Sequence, residues 1–194
     1  MLPPKWSELS TMTISYGHGV STSPLHLAAA YATLVNGGFR VTPTLLKRDA
    51  PGGAGAPEPT GPRVISGATS RIVRDMLRQV VSRGTASLGD VRGYAVGGKT
   101  GSADKPRENG GGYHDDKVIA TFAAVFPSAA PEYVLVVTLD EPEVLLSEEL
   151  RRTAGWTAVP VAAEIISRIA PILGLRPVVE PAPASGVILV RNNG

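Results

Sequence analysis

Between Tyr94 and Leu139 three apolar, strand-like runs follow one another with no helix-forming segment between them. A parallel sheet needs a crossover of a dozen or more residues, usually a helix, to carry each strand back to the same end. The connections here are a polar, glycine-rich stretch at 104–116 and a short turn at 127–132, PSAAPE. Runs 118–126 and 133–139 are therefore expected to form an antiparallel hairpin. Tyr94, Ala95 and Val96, bounded by glycines, read as a short strand running into Lys99. The stretch 104–116, with three successive glycines, reads as irregular.

Helices flank this block. Residues 23–38, SPLHLAAAYATLVNGG, carry a capping Ser23, Pro24 at the first helical position and a closing Gly37-Gly38, with Leu27, Tyr31 and Leu34 at helical spacing. A second helix is expected over 66–83, ended by Gly84, with Ile72, Met76 and Val80 as its apolar face. A third spans 158–169, with Val161, Ile165 and Ile169 aligned. The fold class that follows is α+β, an antiparallel sheet covered by helices. Residues 48–63, RDAPGGAGAPEPTGPR, are too rich in Gly and Pro to pack. The Pro- and Val-rich segment 175–194 reads as a flexible surface tail.

Bulk properties exclude several function classes. The formal charge of +2 is small and its cations are scattered, which argues against a nucleic-acid partner. The absence of cysteine rules out disulfide and thiol chemistry. The longest apolar runs are too short to cross a bilayer, and the opening MLPPKWSE does not read as a leader.

Residues 93–105, GYAVGGKTGSADK, carry three incompatible chemistries. From Gly93 to Thr100 they fit G-x-x-x-x-G-K-[ST], the phosphate-cradling P-loop. That loop works only where a helix starts at the Lys-Thr and aims its free N–H groups at phosphate. Here Pro106 and a run of glycines follow, so the nucleotidase reading stays remote. Ser102 to Lys105 fit S-x-x-K, a serine nucleophile with its lysine, which needs both side chains on one helix face. Lys99 to Ser102 read KTGS, which needs only a strand. On a strand Thr100 and Ser102 share a face, and Lys99 reaches the same neighbourhood along its stem. An ammonium with two hydroxyls suits a carboxylate, and the glycines at 97, 98 and 101 let a peptide lie along the edge. His18, His26 and His114 are not at metal-ligand spacing, and no metal or cofactor is expected. The segment around Glu148, Glu149, Arg151 and Arg152 reads as exposed charge.

The chain resembles the class B penicillin-binding proteins, the division-type peptidoglycan D,D-transpeptidases. The resemblance lies in TMTISYGHGVSTSPLHLAAAYATLVNGG, RGTASLGDVRGYAVGGKTGSADK, KVIATFAAVFPSAAPEYVLVVTLDEP and AVPVAAEIISRI, in that order, and covers about residues 6–174. It implies the fold shared by penicillin-binding proteins and serine β-lactamases, with the KTG strand edging the cleft. It also implies acyl transfer through a serine, peptidoglycan stem peptides and β-lactams as ligands, and the periplasmic face of the inner membrane as location. By the same resemblance Lys99, Thr100, Gly101 and Ser102 bind substrate. Lys99 supplies positive potential, Thr100 and Ser102 hold the carboxylate, and the Ser102 N–H is an oxyanion donor.

One departure matters. No S-x-N occurs, and the only S-x-x-K is Ser102–Lys105, inside the third motif. Residues 1–174 are therefore expected to be the C-terminal portion of a transpeptidase domain, unable alone to form an acyl-enzyme. Its partners would be the upstream half and other division proteins. The edge at 133–139 is expected to lie open and apolar, a hazard for association. The competing reading is a non-catalytic carboxylate- or peptide-binding module, or one that binds division proteins.

Overall fold

A computed structural model of the chain describes residues 5–17, 19–46, 61–108 and 111–178. Helix α1 (Glu8–Ser15) begins at a capping box, the Ser7 side chain accepting from the Ser10 N–H and the Ser10 side chain accepting in return from the Ser7 N–H. Helix α2 (Pro24–Val35) is capped by Ser23, as the sequence indicates. It ends where Asn36 Oδ1 accepts the N–H groups of Gly38 and Phe39. Gly38 has φ of +91°, and a Cβ there would lie 2.1 Å from the Ile65 carbonyl oxygen, so both conformation and space demand glycine. Residues 61–63, the end of the Gly/Pro-rich segment, are held: Phe39 and Arg63 form an antiparallel bridge, with the Arg63 guanidinium 4.3 Å above the Phe39 ring. Residues 47–60 lie outside the described residues.

Helix α3 (Gly67–Arg83) stops at Gly84, and a 3-10 turn (Ser87–Gly89) follows. The sheet comprises β1 (Gly97–Pro106), β2 (Tyr113–Phe126) and β3 (Tyr133–Asp140), antiparallel in the order β1-β2-β3. A small hairpin of β4 (Val144–Leu146) and β5 (Glu149–Arg151) precedes helix α4 (Ala158–Ile172). The architecture is the expected one, an antiparallel sheet with helices, and β3 lies at its outer edge.

The two sheet faces differ. Thr100 is paired with Phe122, and Phe122 with Val137. Phe122 and Val137 belong to the main core with Val81, Val96, Val159 and Ile166, so α4 covers this face. Val125 packs instead with Val35 of α2 and Leu77 of α3, on the opposite face. Burying side chains of this size contributes roughly 1.5–3 kcal/mol each.

Five expectations are corrected. Tyr94–Val96 is not a strand: Tyr94 ends a turn, Ala95 takes a φ of 44°, and β1 begins at Gly97. Residues 104–106 and 113–116 are not irregular, because β1 and β2 continue past the core as a paired ribbon, with Asp104 opposite Val118 and Pro106 opposite Tyr113 across a bulge. Ladder hydrogen bonds come from the backbone, so polar side chains facing water do not prevent them. The α3 face turns out to be Ser70, Leu77 and Val81, with Ile72 and Met76 more than half exposed. On α4 the buried line is Ala158, Val159, Ala162, Ile166 and Ala170; Ile165 and Ile169 pack beside it and Val161 faces outward. Residues 175–178 are anchored, since Leu175 is buried and the Val178 N–H donates to the Gly93 carbonyl at 2.8 Å. The rest of that tail lies outside the described residues.

Candidate active-site wall

The KTGS stretch lies on β1, not at the head of a helix, which disposes of the P-loop reading. Two glycines seat the strand. A Cβ on Gly98 would come within 2.6 Å of the Phe122 ring, and one on Gly97 within 3.2 Å of the α3 backbone at Arg78. Without side chains at these positions, β1 is pressed between the core and α3. A Cβ on Gly101 would meet nothing within 4 Å, so this part of the strand is open.

Thr100 and Ser102 line one cleft of about 540 Å³ together with Gly84, Thr85, Ser87, Leu88, Thr153, Gly155 and Trp156. Two loops far apart in sequence build its other walls. The first leaves α3 at Gly84, where the N–H groups of Gly84 and Ala86 both donate to the Val80 carbonyl at 3.1 Å. That turn brings Thr85 Oγ1 to 3.0 Å from Thr100 Oγ1. The second loop enters α4, and its Ala154 N–H donates to Ser102 Oγ at 2.9 Å. The loops meet at Gly155, where a Cβ would lie 2.6 Å from the Thr85 carbonyl oxygen. Trp156 and Leu88 add partly exposed apolar surface, and the Arg151 guanidinium sits 5.5 Å from the Trp156 ring centre.

Lys99 and Gly101 alternate with the two hydroxyl residues and take the other face of the strand. The Lys99 ammonium bends back to the strand and donates to the Thr100 carbonyl at 2.7 Å. It does not line the hydroxyl cleft. Because the Thr100 carbonyl is met by a side chain, it points to the open edge of β1; Ser102, two residues on, presents its backbone groups to that same edge.

Ser102 and Lys105 do not form a nucleophile pair. They lie three apart on a strand and not on one helix face. Lys105 Nζ is bound to Asp140 at 2.8 Å and Glu141 at 2.7 Å, and Lys117 reaches Glu141 at 3.0 Å. The hydrogen bonds that Lys105 donates to the Asp140 and Glu141 carboxylates raise its pKa. The bond from Lys105, then that from Lys117, lowers the Glu141 carboxyl below its ordinary range. Glu143 and Arg152 pair at 2.9 Å beside this network.

His26 sits at the start of α2 with Nδ1 2.7 Å from Ser23 Oγ, and His114 is on β2 rather than in a loop. His18 lies outside the described residues. Among the described residues no group of three or more His, Asp or Glu side chains is placed to hold a metal ion, and no helix is long and apolar enough to cross a membrane. Sequence reasoning missed Thr85, Leu88, Thr153, Ala154 and Trp156 as site residues. The only signal was the GTA triplet at 84–86, which carried resemblance but no assigned role.

Comparison with known proteins follows the same line. The chain matches the penicillin binding protein transpeptidase domain over residues 1–167. It is 36% identical over 183 residues to the probable peptidoglycan D,D-transpeptidase FtsI of Caulobacter vibrioides, covering 91% of this chain and 30% of that protein. It is 37% identical to penicillin-binding protein PbpB of Mycolicibacterium smegmatis, covering 86% of this chain and 27% of that one. Among solved structures, the transpeptidase domain of Burkholderia pseudomallei penicillin-binding protein 3 superposes with a TM-score of 0.78 at 35% identity, covering 93% of this chain and 52% of that domain chain. Penicillin-binding protein 3 of Mycobacterium tuberculosis, solved in complex with ampicillin, gives 0.75 at 31%, covering 94% and 42%. The chain thus spans under a third of the length of these curated relatives. With sequence and fold in agreement across nearly all of its own length, the chain belongs to the penicillin-binding protein transpeptidase family.

Proposed function

We propose that this chain supplies the KTGS wall of a peptidoglycan D,D-transpeptidase site. In this reading Thr100 and Ser102 hold the terminal carboxylate of a stem peptide, or the equivalent carboxylate of a β-lactam. One observation carries the reading: two hydroxyls on alternate positions of an open-edged strand face a single cleft. A carboxylate accepts two hydrogen bonds side by side, and hydroxyls about 7 Å apart along a strand converge on it from one face. Lys99 contributes positive potential from the adjoining position. The Ser102 N–H, directed to the free edge, serves as one oxyanion donor; losing such a donor typically costs about 3 kcal/mol of transition-state stabilisation.

The one S-x-x-K of the sequence does not pair Ser102 with Lys105, whose ammonium is held by Asp140 and Glu141, and no S-x-N occurs, so in this reading the attacking serine lies outside this stretch of sequence. Acyl transfer therefore requires a nucleophile from polypeptide that the relatives carry and this chain does not contain. The site operates at the cell envelope, where its substrate is. Incubation of the purified chain with a fluorescent penicillin should give no adduct that survives denaturation, while the same chain joined to a segment bearing S-x-x-K and S-x-N should be labelled. Labelling of the chain alone would overturn the assignment of the nucleophile. Failure of the joined protein to label, although folded, would overturn the transpeptidase reading.

A further inference from the structure

The two carboxylate-binding hydroxyls are not free rotors. Each hydroxyl has one proton and two lone pairs. Ser102 Oγ accepts the Ala154 N–H on a lone pair, so its proton is not consumed by that bond. The Thr85 and Thr100 hydroxyls share one hydrogen bond, which uses one of their two protons. Both threonines line the cleft, so the second proton is available there.

We infer that Thr85 is a positioning residue for carboxylate recognition: its hydroxyl donates to Thr100 Oγ1, and Thr100 donates onward to the ligand. This deepens the proposed function and rests on it. A carboxylate is an acceptor only, so of the two possible directions of the Thr85–Thr100 bond it selects the one that leaves the Thr100 proton pointing at it. The result is two parallel relays, Thr85 to Thr100 to carboxylate and Ala154 N–H to Ser102 to carboxylate. In each the outer donor polarises the hydroxyl that touches the ligand.

The surroundings hold Thr85 to this task. Gly84 lets the chain leave α3 with its N–H and that of Ala86 on one carbonyl, and a Cβ at 84 would lie 2.8 Å from the Val80 oxygen. Ala86 is fully buried, which pins the turn from the other side. Gly155 allows the second loop to close on the Thr85 carbonyl. The two relays are thereby locked to each other as well as to the strand.

The test is a titration of the full 194-residue chain, followed by backbone amide shifts, with N-acetyl-D-alanyl-D-alanine and with its C-terminal amide. The wild type should prefer the free acid. Thr85→Val should cut that acid-over-amide preference by about three- to tenfold, the worth of one hydrogen bond, and Thr85→Ser should restore it. In a Thr100→Val background Thr85→Val should change nothing further. If Thr85→Val does not fold, Thr85→Ala takes its place with the same expected loss. A wild type indifferent to the free acid would overturn the carboxylate reading itself. A wild type that prefers the acid, with a Thr85→Val or Thr85→Ala variant that keeps the full preference, would overturn the positioning role alone. An effect persisting without the Thr100 hydroxyl would also overturn it.

Discussion

Helices α1 and α4 have opposite local signals and opposite fates. Helix α1 has a complete capping box, yet none of its residues is buried, and Leu9 and Met12 are 67% and 64% exposed. Helix α4 has no side-chain cap and carries Pro171, yet five of its residues are buried against β2 and β3. The difference shows that helix ends are set by local hydrogen bonds, while the stability of a helix comes from the face it buries. Among the described residues nothing covers the apolar positions Leu9 and Met12 of α1.

The contrast can be broken most directly by truncating side chains. Ile166→Ala removes a fully buried α4 side chain from the main core and should cost about 3 kcal/mol in urea unfolding. Leu9→Ala on α1 should cost less than about 0.5 kcal/mol. Equal losses would mean that α1 is docked in solution. A second pair sharpens the same comparison on one strand. Gly98→Ala forces a Cβ against the Phe122 ring and the Ala123 carbonyl and should destabilise by about 1–3 kcal/mol, whereas Gly101→Ala meets open space and should be close to neutral. Thermal melts of the two variants decide it.

The smallest effect concerns the charge network at the far end of β3. Glu141 has a lowered pKa, so its contribution is present above its ordinary value of 4.5 and is lost as pH falls through the lowered one. Lys105 has a raised pKa, so its contribution is present below its ordinary value of 10.5 and is lost only as pH rises through the raised one. Glu141→Gln should therefore flatten the acid limb of a stability–pH profile slightly and leave the neutral region nearly unchanged, because these groups are exposed and screened. A large loss at neutral pH would contradict this.

Much of the architecture is legible in the residues. The strand-like runs at 118–126 and 133–139, joined by a short turn with no helix between them, dictate an antiparallel pair, and Ser23, Ser66 and Gly84 mark helix ends because capping is local chemistry. The phase of α3 is not legible. Ile72, Met76 and Val80 form as good a helical stripe as Val73, Leu77 and Val81, and period alone does not choose between them. The choice falls to Gly97, whose missing side chain lets the α3 backbone at Leu77 and Arg78 close on β1. The β4–β5 hairpin was hidden for a different reason. Its two-residue turn places Ser147 and Glu148 at φ of 48° and 70°, a conformation usually advertised by Asn-Gly.

By itself the sequence determined that KTGS would lie on a strand, with Thr100 and Ser102 on a shared face, because alternation along a strand is a covalent property of the backbone. Only the tertiary structure decided what those hydroxyls face. Thr85 and Ala154 come from 15 and 52 residues away to reach Thr100 and Ser102, and packing of α3 on β1 and of α4 on β2 and β3 brings them there. Hydrogen bonds act over about 3 Å of space regardless of distance along the chain, so no local pattern could announce them.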